Sequence, residues 1–177
     1  LDSFCNLTGI GAAFIDLEGN VILGSHWQKI CTDFHRVNED SCKKCIESDT
    51  ELANRLNQGE DYAIYRCKNG MNDAASPVII EGVHLANAFI GQFLLEKPII
   101  SFFEKQATKY HYDRDGYLAA LNDVPIVDED QLPAIMNFLT TLSEILGDIG
   151  LEKLKHLETE EKLKDQQVEI GERMKEL

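Results

Sequence analysis

The sequence predicts an α+β fold: a central antiparallel sheet with a helical insert after its first hairpin, followed by one long C-terminal helix. Three observations carry this. β-rich runs bounded by turn residues occur at 12–23 and again at 62–95. Between them lie two stretches whose apolar residues recur at helical spacing. From Leu132 onward the only proline is Pro133, and an apolar residue returns at nearly every seventh position to Leu177.

Composition bounds the rest. A chain of 177 residues with 44% hydrophobic content has room for one ordinary core and an appendage. Its net charge of −14 excludes a nucleic-acid surface, which needs clustered Lys and Arg. There is no uninterrupted apolar run of about 18 residues, so no membrane segment is expected. The chain opens on Leu1 and stops inside a helical pattern, as a piece of a longer protein would. Five cysteines is an odd number, and a domain this size folds without disulfides. A reducing, cytoplasmic setting follows as the expectation.

In order, Ala12–Leu17 and Val21–Leu23 form a hairpin around Glu18, Gly19 and Asn20. Cys5, ahead of it, carries no expected role. His26–Val37 is a short helix with Trp27, Ile30, Cys31 and Phe34 on its buried stripe and His35 at the stripe's edge. A second helix, capped by Asp40 or Ser41 and ended by Gly59, runs to about Asn57. Its face carries Cys42, Cys45, Ile46, Asp49, Leu52, Ala53 and Leu56. Tyr62–Cys67, Asp73–Glu81 and His84–Leu95 are strands, for about five in all. Pro77 suits an edge or a bulge, and Gly91 a bulge or a close backbone approach. Ser101–Tyr112 is a helix with Phe102, Phe103 and Ala107 inward, and a short helix covers Gly116–Asn122. Asp128 or Asp130 caps the last helix, whose seven-residue track is Leu142, Ile149, His156, Leu163, Ile170 and Leu177. The partner track (Leu146, Lys153, Glu160, Gln167, Met174) is poorer. The pattern suits a dimeric coiled coil or a single solvated helix.

Cys31, Cys42, Cys45 and Cys67, spaced C-x10-C-x2-C-x21-C, concentrate the chemistry. Thiolates suit zinc or an iron–sulfur cluster, so these four are the candidate metal ligands. A redox-switchable pair, plain packing and direct ligand contact are the other readings. His35 is a further ligand or pocket donor, or only a rim residue. Asp49, a carboxylate in an apolar stripe, needs partners or faces a site. Tyr65, Phe14, Trp27 and Phe89 line a cavity or belong to the core. No Ser-His-Asp order, phosphate loop or zinc-protease motif points to an enzyme.

FIDLEGNVI, CTDFHR, CIESD at Cys45–Asp49, YRCKNGMNDAASPVIIEG at Tyr65–Gly82 and HLANAFIGQFL at His84–Leu94, in that order, resemble the PocR sensory-domain family over roughly residues 1–150. The resemblance implies a PAS-like fold and an output domain, such as a histidine kinase, after the sensor. It implies sensing of small hydrocarbon derivatives such as short alcohols and diols. Cys31, Cys45 and Cys67 fall at the family's cysteine positions and Asp49 in its Ser-Asp pair, whereas Cys42 and Lys68 depart from the pattern. The expected organisation is a sensor domain at 1–131 and a helical linker at 132–177. The ligand site expected is Cys31, His35, Cys45, Asp49, Tyr65 and Cys67, binding a small organic molecule. A metal, iron–sulfur or thiol redox sensor is the alternative, and a homodimer through the C-terminal helix is the expected assembly.

Overall fold

A computed structural model describes residues 1–57 and 62–175, the side chains of 53, 57, 165 and 167–175 excepted. The expected stop at Gly59 and the heptad positions from 167 on lie outside what is described. After a short helix α1 (Asp2–Thr8) come strands β1 (Gly11–Asp16) and β2 (Val21–Ser25), then a wide helical turn at Ile30–His35 and helix α2 (Glu39–Asn57). Strands β3 (Ala63–Arg66), β4 (Asn72–Ile80) and β5 (Val83–Phe93) follow, then helices α3 (Ile100–Tyr110), α4 (Arg114–Asn122) and α5 (Leu132–Lys175). The five strands form one antiparallel sheet in the order β2-β1-β5-β4-β3, a PAS-like arrangement.

Strand alternation gives the sheet two different faces. On one, Ala12, Ala74, Val78, Ala88 and Ile90 pack against Leu132, Met136 and Leu139 of α5, with Cys5 and Ile10 beside them. Cys5 is fully buried there as a small apolar side chain, on a helix the sequence pattern did not predict. The other face carries a row of paired residues, Gly11, Gly91, Asp73 and Tyr65, with the row Ala13, Phe89, Ala75 and Ala63 beside it. Most of these side chains are small, so the helical insert cannot fill the space above them. A β-carbon on Gly11 would stand 2.6 Å from the Gly91 carbonyl oxygen and 2.7 Å from that of His26, so only glycine fits. Pro77 lies beyond the β3–β4 pairing, beside a register shift between Val78 and Ile79, as an edge or bulge proline should.

The insert differs from its expectation in detail. Ile30–His35 is a π-type turn, with the Arg36 amide donating to the Cys31 carbonyl, and residues 26–28 are not helical. Trp27 therefore leaves the buried stripe. Helix α2 is capped by Asn38, whose Oδ1 accepts from the amides of Asp40 and Ser41 at 3.1 and 3.2 Å. Its inward face is Ser41, Cys45, Ser48, Leu52 and Leu56. Two serines turn inward because each finds partners: Ser41 Oγ donates to the His35 carbonyl, and Ser48 Oγ donates to that of Lys44. This rotation leaves Cys42 at the flank and Ile46 exposed. Phe102 is likewise exposed, beside Gly70, whereas Phe103 and Ala107 are buried.

Asp128 begins the turn into α5, its Oδ1 accepting from the Asp130 amide at 3.2 Å. Pro133 occupies the first turn, where its missing N–H costs nothing. Glu129–Lys164 is, by length and composition, long and apolar enough to cross a membrane. No uninterrupted run reveals this, because Thr140, Thr141, Ser143, Glu144 and Asp148 break it. The apolar residues divide between two faces. One is buried on the sheet; the other, Phe138, Leu142, Ile145, Leu146 and Ile149, is exposed. In the heptad track His156 is exposed and stands 3.6 Å from Glu160.

Candidate functional site

Between the insert and the small-residue rows lies a cavity of about 50 Å³. At about 10–15 Å³ per water-sized group it holds roughly three to five such groups. Its walls bring together Cys31 and His35 of the wide turn, Cys45 and Asp49 of α2, and Cys67 at the end of β3. Five of the six predicted ligand residues thus meet. The sixth, Tyr65, does not line it: its hydroxyl donates to Glu51 at 3.0 Å and its ring packs beside Leu52 and Leu56. Trp27 and Phe89 line the cavity, whereas Phe14 packs on the α5 side. Cys42 does not line it, because the inward face of α2 is turned toward the two serines.

Residues that the sequence did not single out complete the site. Asp73 reaches over Gly91, where a side chain would collide with its carboxylate. Its carboxylate accepts no hydrogen bond from the described residues. Desolvation, with the charge of Asp49 adding and Arg36 opposing, pushes its pKa up to about 7. At the cavity mouth Arg36 pairs with Asp49 at 2.9 Å, both half-exposed. Asp49 therefore has the partner its place in the stripe requires. Gln92 Oε1 accepts from the Gln28 amide at 2.7 Å, fixing the chain that leads into the wide turn.

A buried hydrogen-bond relay backs the thiols. Gln106 Nε2 donates to the Asn69 carbonyl at 3.1 Å, so its Oε1 accepts from the Tyr117 hydroxyl at 2.9 Å. That hydroxyl then accepts from His35 Nε2–H at 2.7 Å, leaving Nδ1 to face Cys31 Sγ at 3.7 Å. Asn69 Nδ2 donates to Cys45 Sγ at 3.2 Å and to the Ser41 carbonyl at 2.9 Å. Burial, aided by the charges of Arg36 and Lys44, lowers the His35 pKa to about 4, so the ring is neutral. Burial pushes Cys67 up to about 12, raises Cys45 and raises Cys31 well above the ordinary thiol value. Tyr117 and Gln106 lie far from the cysteine stretch and carry no motif, whereas Asn69 and Asp73 fall inside the quoted stretch Tyr65–Gly82 without being singled out in it.

Zinc or an iron–sulfur cluster needs thiolates converging on one point. Here only three of the four candidate thiols line the cavity, and Cys42 lies elsewhere. Among the described residues no three His, Cys, Asp or Glu side chains are arranged to hold a metal ion. The residues as arranged do not fit such a group. They do suit hydrogen bonding to a small neutral molecule, with Asp73 as the free acceptor.

A PAS-like sheet with a partly open cavity under a helical insert, lined by thiols and two acids, suits the class of sensory domains. Residues 1–151 match the family described as the sensory domain found in PocR, and the chain belongs to that family. The match runs on into α5, whose first turns are part of the core. No curated protein matches the chain.

Proposed function

We propose that this sensor domain binds a small hydrogen-bond-donating organic molecule, of the short alcohol or diol class, in the cavity between sheet and insert. The observation that carries the reading is Asp73: a desolvated carboxylate, without a partner among the described residues, facing a cavity sized for a few heavy atoms. A half-buried acceptor without a protein partner is poorly solvated, and a hydroxyl donor offsets that cost. The acids Asp49 and Asp73 disfavour an anion. The five unbridged cysteines support a reducing, cytoplasmic setting.

Occupancy changes the packing of the insert, and α5 carries the change to an output domain such as a histidine kinase. The outward apolar face of α5 supports dimerisation through this helix. Sensing of this kind needs two states with different affinity for the ligand. The test is thermal unfolding of reduced, metal-free protein against a panel of short alcohols, diols and acids. A saturating ligand stabilises by about 2–3 kcal/mol, and Asp73→Asn weakens that response. A panel that shifts nothing defeats the reading. Protein purified without oxygen that carries about one equivalent of zinc, or iron with sulfide, would overturn the reading in favour of a metal centre.

A further inference from the structure

Outside the cavity lies a cleft of about 790 Å³, open to solvent. The two share Ile15, Trp27, Arg36, Asp49 and Phe89, so the Arg36–Asp49 pair stands at the passage between them. One wall of the cleft is the first hairpin, with Leu17 and Val21; the other is α2, with Ile46 and Thr50. Three of these are large apolar side chains left bare, Leu17 at 50%, Val21 at 54% and Ile46 at 57% exposed. Trp27 is held between the two spaces: its indole lies over Gly24, where a β-carbon would come within 2.9 Å of Nε1. Apolar groups facing each other across a concave cleft, continuous with a cavity that holds the partnerless carboxylate of Asp73, match a molecule with two ends.

We propose that the ligand is an amphiphile whose hydroxylated head occupies the cysteine-lined cavity and whose neutral apolar tail lies in this outer cleft over Trp27, Phe89 and Ile46. The inference rests on the cavity being the ligand site, and adds a second subsite and a ligand length. Charge narrows the tail. Asp16, Glu18 and Asp49 line the cleft, with Arg36 its one cation among the described lining residues and already paired to Asp49. An anionic tail is repelled and an uncharged one accepted.

The experiment is calorimetric titration of the reduced, metal-free chain with 1,2-alkanediols from propanediol to octanediol. Each added methylene is expected to tighten binding about two- to fourfold, the range between half and full burial of the group. The variant Val21→Ser/Ile46→Ser changes two exposed side chains that line only the cleft. It should flatten the series and leave propanediol affinity unchanged. If propanediol binds and longer diols bind no better, the outer subsite is refuted and the cavity reading stands. A length dependence that survives in the double variant also refutes the subsite, since the tail would lie elsewhere. Silence from every diol defeats both readings.

Discussion

Replacing Asp73 by Asn should make the protein more stable, and only at high enough pH. The carboxyl titrates near 3.8 when unfolded and at about 7 when folded. Between those values the native state keeps a proton that the unfolded chain has lost, so stability falls as pH rises. Roughly three units at 1.36 kcal/mol each gives a penalty of about 4 kcal/mol, complete above pH 7. His35 acts in the opposite sense. Its pKa falls from 6.5 to about 4 on folding, so between these values the unfolded chain binds the extra proton and stability rises with pH. That contribution is about 3 kcal/mol, and the two nearly cancel across pH 4–6.5. Wild-type stability should therefore change little there and fall only toward pH 7. Asp73→Asn removes the falling part and exposes the His35 rise. Urea unfolding at pH 4 and pH 8 measures this. The variant should equal wild type near pH 4 and exceed it by a few kcal/mol at pH 8. A difference between variant and wild type that is the same at both pH values would refute the desolvated, unpaired carboxylate.

Other substitutions test neighbouring parts. Gly91→Ala drives a methyl group into the Asp73 carboxylate, and should abolish the ligand-induced thermal shift while the circular dichroism spectrum stays native. Tyr117→Phe strands His35 Nε2–H and Gln106 Oε1 in the interior, and should cost about 2–4 kcal/mol in denaturant unfolding. Cys42→Ala should change stability by less than about 0.5 kcal/mol and leave ligand binding intact, whereas Cys45→Ala, which removes one of the two acceptors of the Asn69 amide, should weaken binding in the same titration. Leu142→Glu with Ile149→Glu changes only exposed positions, and should abolish the dimerisation proposed for α5, read by light scattering, without loss of thermal stability.

The sheet was legible because strand and turn chemistry agree locally: Glu18–Gly19–Asn20 and Lys68–Asn69–Gly70 both mark turns. The cysteine convergence was legible for a similar reason, since Cys31, Cys45 and Cys67 each sit on the inward side of a local element. What local spacing could not supply was the rotation of α2. Hydrophobicity put Cys42 and Ile46 inside; hydrogen bonds to buried Ser41 and Ser48 turned them out. The acceptor Asp73 and the relay through Tyr117, Gln106 and Asn69 depend on contacts between distant elements. His35 and Tyr117, which share a hydrogen bond, are 82 residues apart. Helical spacing places Trp27 on a buried stripe, with cavity lining or core as its two readings; residues 26–28 are irregular, which moves its ring to the passage between cavity and cleft. Apolarity on two sides of α5 was hidden for the opposite reason: each face alone is ordinary, and only the folded helix shows that one of them has no partner.

The most direct measurement of the central claim is a two-dimensional amide NMR titration of the reduced, metal-free protein with 1,2-propanediol. The account predicts saturable shifts at Cys31, Cys67, Met71 and Gly91, around the cavity, and their loss in Gly91→Ala. Shifts confined to other surfaces, or none at concentrations well above millimolar, would contradict it.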